Sequence, residues 1–287
     1  MEPDRPRTPG APHPALAPAG GWLRLVREVP WLVRTRLTGA RRAPAGSAPP
    51  PWWRWRLVIK LDPDRALSAR ALELVLATGA DALLVGGTQG ITAEKVLGLL
   101  GRLEAALRRP PVWLEVSSPA AAVPGAPGYL VPFVLNAGDP TWTGRAQAEA
   151  LGAMLPRLGA ILPWERLWPA AYLILNPDSA AARLTAAEAP PPETAVGYAA
   201  LAGRLLRLPL LYVEYSGRFG DTQLLDRLRR AAGPSCRVWY GGGVDSGARA
   251  AAAARAAHAV VVGNAAHEVP DRLSEIAAAV RATPPPP

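Results

Sequence analysis

A chain of 287 residues, 49% of them apolar, is long enough for one large α/β domain or two small ones and can bury a sizeable core. Its net charge of +9 is unevenly placed: residues 1–56 hold 10 Lys+Arg against 3 Asp+Glu, leaving 22 against 20 in the remainder, so the folded body does not read as a nucleic-acid-binding surface. A single cysteine, Cys236, excludes an internal disulfide framework and fits a reducing, cytoplasmic compartment, while His13, His258 and His267 lie too far apart for a zinc site.

In chain order, the first segment with a pattern is "GWLRLVREVPWLVRTRLTGARR". There Trp22, Leu25, Val26 and Val29 recur at helical spacing, and Arg24, Arg27 and Glu28 interrupt any signal-peptide core. Pro30 breaks the pattern early. This segment reads either as an amphipathic basic stretch on an anionic membrane surface or as a weakly ordered arm. The runs flanking it, "PRTPGAPHPALAPAGG" and "RRAPAGSAPPP", are too poor in large apolar residues to offset the cost of ordering. Residues 1–50 are therefore expected to form a disordered basic Pro/Arg-rich extension, 51–283 the folded domain and 284–287 a disordered tail. No run approaches the ~18 apolar residues of a membrane-spanning helix.

From Arg56 onward, short apolar runs alternate with Ala/Leu/Arg-rich helical patterns. Strands are expected at "RLVIKLD", "ADALLVGG", "VWLEV", "YLVPFVL", "AYLILN", "LLYVEYS", "RVWYGGG" and "AVVVGNA". Helices fit residues 66–78, 92–109, 142–158, 193–208, 221–232, 246–257 and 271–282. Eight strands separated mostly by helices match a (β/α)8 barrel, whose strands are buried on both faces. The third crossover, "SSPAAAVPGAPG", has too many prolines and glycines for a regular helix and is expected to be an irregular loop.

In such a barrel the C-terminal ends of the strands carry function. "YGGGV" and "VVVGNAA" end the last two, where glycines let backbone N–H groups approach a phosphate. "VIKLDPD" puts Lys60 and Asp62 on one face of the first strand, and Thr88 follows two glycines at the end of the second. Asp before Pro is commonly only a turn former. An Asp and a Thr at adjacent strand ends are also the hard oxygen ligands that Mg²⁺ takes, with water and substrate phosphate filling the remaining positions. In "LYVEYSG", a strand's two-residue period sets Tyr212, Glu214 and Ser216 on one polar face and Leu211, Val213 and Tyr215 on the other.

Taken together, "KLDPD", "VGGTQG", "LEVSS", "VPFVLNA", "LILNPDS", "YVEYSG", "YGGGV" and "VVVGNA" resemble the geranylgeranylglyceryl phosphate synthase family, including its bacterial heptaprenylglyceryl phosphate synthase branch. The resemblance runs from about Trp55 to Glu268. It implies a barrel lacking the regular third helix, and a prenyltransferase joining sn-glycerol 1-phosphate by an ether bond to a prenyl diphosphate. Asp62 and Thr88 match its Mg²⁺ positions. Lys60, Tyr212, Val213, Glu214, Tyr215, Ser216, Gly217, Gly242, Gly263 and Asn264 match its glycerol phosphate contacts. Glu214 either takes the hydroxyl proton or only orients the glycerol, and Glu115 is a weaker candidate that orders its neighbours. Arg218 departs from the small or apolar residue usual in bacterial members. The bacterial-like motifs favour a heptaprenyl over a geranylgeranyl donor, and the resemblance implies a homodimer. The competing readings are another phosphate-binding barrel enzyme, which would need no metal corner at "KLDP" and "VGGTQG", or a membrane-associated scaffold.

Overall fold

The computed structural model describes residues 49–117, 122–159 and 162–287. The amphipathic basic segment and nearly all of the expected extension lie outside the described residues. Strands β1 (Leu57–Leu61), β2 (Ala82–Val85), β3 (Val112–Glu115), β4 (Tyr129–Val134), β5 (Leu167–Ile174), β6 (Leu210–Glu214), β7 (Arg237–Gly241) and β8 (Ala259–Val262) close into a barrel in sequence order. All neighbours are parallel, and closure is made by β1 against β8. The expected (β/α)8 barrel is therefore what forms.

Alternation along each strand builds two apolar layers. Leu57, Ile59, Leu83, Val85, Leu211 and Val213 face outward into the layer shared with the helices. Val58, Ala82, Leu84, Leu210 and Tyr212 face inward. The floor of the barrel is aromatic. A 3₁₀ turn at Pro51–Arg54 inserts Trp52, which is 0% exposed and meets Trp239 edge-on at 6.0 Å. Trp55 meets Trp113 in the same way at 5.2 Å. Truncating a side chain of this size in a packed floor costs about 3–5 kcal/mol, so the packed body begins at the tryptophans and not at β1.

The crossover helices are α1 (Ala69–Ala77), α2 (Ala93–Glu104), α3 (Arg145–Leu158), α4 (Ala180–Thr185), α5 (Pro192–Ala200), α6 (Thr222–Ala232), α7 (Gly247–Ala256), α8 (Asn264–Glu268) and α9 (Leu273–Ala282). Ser68, Thr92, Ser179, Asp221 and Ser246 cap five of them through side-chain oxygens, each cap worth about 1 kcal/mol. Between Glu115 and Tyr129 the described residues contain no helix, as the prolines and glycines of that run predict.

Several boundaries differ from the sequence pattern, and the short helix Ala180–Thr185 was not expected. The helix expected over 92–109 ends at Glu104. The one expected over 193–208 leaves α-helical geometry after Ala200 and continues as a π turn over Leu201–Leu205. There Gly203 lies so close to the next helix that a Cβ would sit 2.1 Å from the Ala232 carbonyl oxygen. The terminal run, expected as a disordered tail, is held to the barrel: Arg56 donates to the Pro284 carbonyl and Arg229 to that of Pro287. Among the described residues no helix is long and apolar enough to cross a membrane.

Candidate active site

The inward face at the C-terminal end of the barrel is polar because the alternation that buries Val58 and Leu210 brings Lys60, Glu115, Tyr172, Tyr212 and Glu214 round to the same side. Lys60 Nζ donates to both Glu115 oxygens, at 2.8 and 2.9 Å. The Tyr172 hydroxyl donates to Glu115 Oε2. Only 19% of the Lys60 side chain and 6% of that of Glu115 are exposed, so solvent screens this pair weakly. Burial opposes the Lys60 charge, but Glu115, Glu214 and Asp62 together outweigh it and hold the ammonium above the usual lysine range.

Glu214 is 4% exposed. Its Oε1 accepts the Ser216 amide at 2.8 Å, and the Glu214 charge acts on the neighbouring Tyr212 phenol. Burial raises its pKa, against the lowering effect of Lys60 and Ser216. Tyr172 and Tyr212 stack with ring centroids 4.7 Å apart, a contact fixed by their pairing across β5 and β6. Burial first, and then the two carboxylates, push both phenols well above the usual tyrosine range, so they are donors at any working pH. The Tyr212 hydroxyl lies directly over Gly241, where a Cβ would come within 2.1 Å of it.

Around this centre the rim has two corners. At one, Asp62 follows β1 and lies against the turn after β2, where a Cβ on Gly87 would meet Asp62 Oδ1 at 2.6 Å. Thr88 is the next residue of that turn. Among the described residues no group of three or more His, Cys, Asp or Glu side chains forms a cation cage. A cation here would thus rest on one carboxylate, one hydroxyl and oxygens from water and substrate, which suits Mg²⁺ and does not suit zinc. At the other corner Ser216, Gly217, Gly242 and Gly263 present backbone after β6, β7 and β8. Gly242 has φ +146°, and a Cβ on it would lie 2.4 Å from that of Tyr215, so only glycine fits.

The two corners are tied together by residues that sequence reasoning passed over. Arg65, three residues beyond Asp62, donates to Asn264 Oδ1 at 3.1 Å and to Glu268 at 2.9 Å. His267 Nε2 accepts the Asp62 amide at 3.3 Å, while Nδ1 lies 3.2 Å from the Ala66 carbonyl oxygen.

Not every expected contact faces inward. Val213 is 0% exposed and packs in the layer beneath the helices, and Tyr215 lies in that layer too. Their side chains are therefore turned away from the barrel interior by the strand's own period, and only their backbone reaches the site. Tyr215 instead backs the glycine corner: its amide donates to the Gly241 carbonyl at 2.6 Å. Arg218 is exposed on the rim, with its guanidinium 5.9 Å from the Tyr215 ring centroid. Asn136 and Asn176, also on this rim, bond backbone. Asn136 bridges to Ile174, and Asn176 donates to the Ser216 carbonyl at 2.6 Å. Tyr172, which no motif singled out, shares the inward parity of Ile174 on β5.

Residues 51–280 match the PcrB family. A heptaprenylglyceryl phosphate synthase of Brevibacillus brevis is 40% identical over 232 residues, spanning 80% of this chain and 96% of its own. One from Anoxybacillus flavithermus is 40% identical over 214 residues, spanning 74% and 89%. Among solved structures, the (S)-3-O-geranylgeranylglyceryl phosphate synthase of Thermoplasma acidophilum, in complex with sn-glycerol-1-phosphate, superposes with a TM-score of 0.69 at 24% identity, covering 80% of this chain and 94% of its own. That likeness speaks for the barrel alone.

Proposed function

Because the chain belongs to the PcrB family and has a relative 40% identical over 80% of its length, we propose that it is a prenyltransferase that joins sn-glycerol 1-phosphate to heptaprenyl diphosphate through an ether bond. The names borne by its relatives supply the donor. The observation that carries the reading is the meeting, at one barrel mouth, of a buried carboxylate, a glycine corner where a Cβ at Gly242 would clash, and an acidic corner beside Thr88.

In the reaction the primary hydroxyl oxygen of glycerol forms a bond to the allylic carbon, the bond from that carbon to the diphosphate oxygen breaks, and pyrophosphate leaves. Backbone N–H groups of the Gly242 and Gly263 turns and of Gly217 bind the glycerol phosphate, while the Ser216 amide holds Glu214 in place. Tyr212 and Lys60, held by Glu115 and Tyr172, orient the glycerol. Glu214 accepts the hydroxyl proton, a role its raised pKa supports because a carboxylate kept out of water is the stronger base. Asp62 and Thr88 would hold a Mg²⁺ ion, which would supply charge compensation for a departing diphosphate. The expected homodimer rests on the resemblance, and sedimentation of the purified protein tests it.

Incubation of the full chain with Mg²⁺, each enantiomer of glycerol phosphate and prenyl diphosphates of graded length is the direct assay. The reading expects an ether product from the sn-1 enantiomer with the heptaprenyl donor preferred. Equal rates with sn-glycerol 3-phosphate would overturn the glycerol site, and a preference for the geranylgeranyl donor would overturn the chain length.

A further inference from the structure

Parallel strands force every segment that enters a strand to one end of the barrel, opposite the mouth. Those segments, residues 49–56, 78–81, 105–111, 162–166, 205–209, 233–237 and 257–258, contain seven arginines against two carboxylates. The segments leaving the strands at the mouth, 62–67, 86–91, 135–144, 175–191, 215–221, 242–246 and 263–272, contain four arginines against nine carboxylates. A body nearly neutral in sum is therefore strongly divided, basic at the floor and acidic at the mouth.

Exposed apolar side chains follow the same division. Of the six large apolar residues that face water among the described residues, Leu107, Trp164, Leu205 and Leu206 stand on the floor segments, Leu107 at 103% and Leu205 at 75% exposure. Arginines neighbour them in sequence. Among the described residues Arg54, Arg108 and Arg207 have no ion-pair partner, whereas Arg109 and Arg166 share Glu104 and Glu165 at 4.0 and 3.6 Å. A cleft of about 450 Å³ opens between the floor segments, lined by Trp53, Arg54, Arg56, Arg237 and His258. The positive surroundings keep His258 neutral: burial first, and then Arg237, Arg229 and Arg56, lower its pKa to about 4.

We propose that this floor docks on an anionic lipid surface, with the apolar tips in the headgroup layer, the arginines among the phosphates and the mouth turned toward water. Exposed apolar side chains flanked by arginines are what an interfacial surface requires, because the apolar part leaves water while the charge stays at the headgroups. The described residues begin at this same end, with residue 49, and residues 1–48 of the sequence carry eight arginines against three carboxylates. The acidic mouth would be repelled by the same lipid. A second copy fits the floor poorly, since a twofold contact would set arginine against arginine. The inference stands on the placement of charge and is independent of the reaction.

Cysteine labelling tests it in the full chain, since Cys236 is 0% exposed and stays unlabelled. An environment-sensitive fluorophore on Leu107→Cys should shift to the blue with phosphatidylglycerol vesicles and not with phosphatidylcholine vesicles. The same label on Arg183→Cys, at the mouth, should not respond. The double variant Arg108→Ser, Arg207→Ser, with an unchanged melting temperature, should partition onto phosphatidylglycerol about 30-fold more weakly, at ~1 kcal/mol per arginine. High salt should release the protein. If the full chain pellets with vesicles while the label at 107 is silent, residues 1–48 bind alone and the proposal fails. A response at 183 would put the mouth on the lipid, and a label shift that follows protein concentration without lipid would make the floor a contact between copies. Either result overturns the proposal.

Discussion

Replacing Glu115 by Gln removes one charge from the centre of the barrel and leaves the Lys60 ammonium with both of its hydrogen-bond acceptors altered, since the two contacts of 2.8 and 2.9 Å go to the two oxygens of that carboxylate. Breaking one side of a buried pair costs about 3–5 kcal/mol because the remaining charge is uncompensated. Lys60 is 19% exposed and Glu214 also attracts it, so the lower part of that range, ~3 kcal/mol, applies here. For a domain of this size that lowers the melting temperature by about 6–12 °C. The sign with pH is fixed by Lys60: its folded pKa is raised, so its contribution is complete below the unfolded value of ~10.4 and is lost only as pH rises through the folded value. The loss should therefore be the same at pH 6 and pH 9. Thermal unfolding followed by circular dichroism measures it, and the companion double variant Lys60→Met, Glu115→Gln should recover most of the stability. A drop of less than about 2 °C, or a double variant no better than the single one, would refute the claim that a weakly screened ion pair organises this centre.

Three further outcomes follow from the site. Glu214→Gln should lower kcat/KM by about 10²–10⁴. The wild-type acid limb should lie above the ordinary carboxylate range, because burial raises the Glu214 pKa and protonation on falling through that raised value removes the acceptor. An unchanged limb in the variant would leave Glu214 as an orienting group only. Asp62→Ala should abolish turnover and its dependence on added Mg²⁺ while leaving the melting temperature within a few degrees, as checked by parallel activity titration and calorimetry, because its side chain lies on the rim outside both apolar layers. Gly242→Ala should raise KM for glycerol phosphate at least tenfold, since φ of +146° and a 2.4 Å approach to the Tyr215 Cβ force the turn open. Steady-state kinetics with glycerol phosphate as the varied substrate decide it.

The barrel was legible because each strand is short and apolar and most are followed by a helical run, five of them opened by a side-chain cap, and these local patterns agree with one topology. The positions of the glycine turns and of Asp62 beside the Gly87 turn were legible for the same reason: both sit at strand ends, where turn chemistry is written in consecutive residues. The Glu115 hub was harder to see. Lys60, Glu115 and Tyr172 are 55 and 57 residues apart in the chain, and nothing short of strand register brings them together. Val213 and Tyr215 belong to the same continuous motif, but the strand's period of two turns their side chains into the outer layer and leaves only their backbone to face the mouth.

Charge placement gives the sharpest contrast between what a sequence contains and what it exposes to a reader. Summed along residues 57–287, 22 basic groups against 20 acidic ones look like a neutral surface. In the fold, alternate loops of the same chain go to opposite ends, so a sequence that alternates arginine-bearing and carboxylate-bearing loops becomes a molecule with two unlike faces. An all-parallel barrel does this to any chain whose loop charges alternate in step with its strands. Net charge alone is therefore a poor guide to where such a protein meets an anionic surface, and loop parity is the quantity to read.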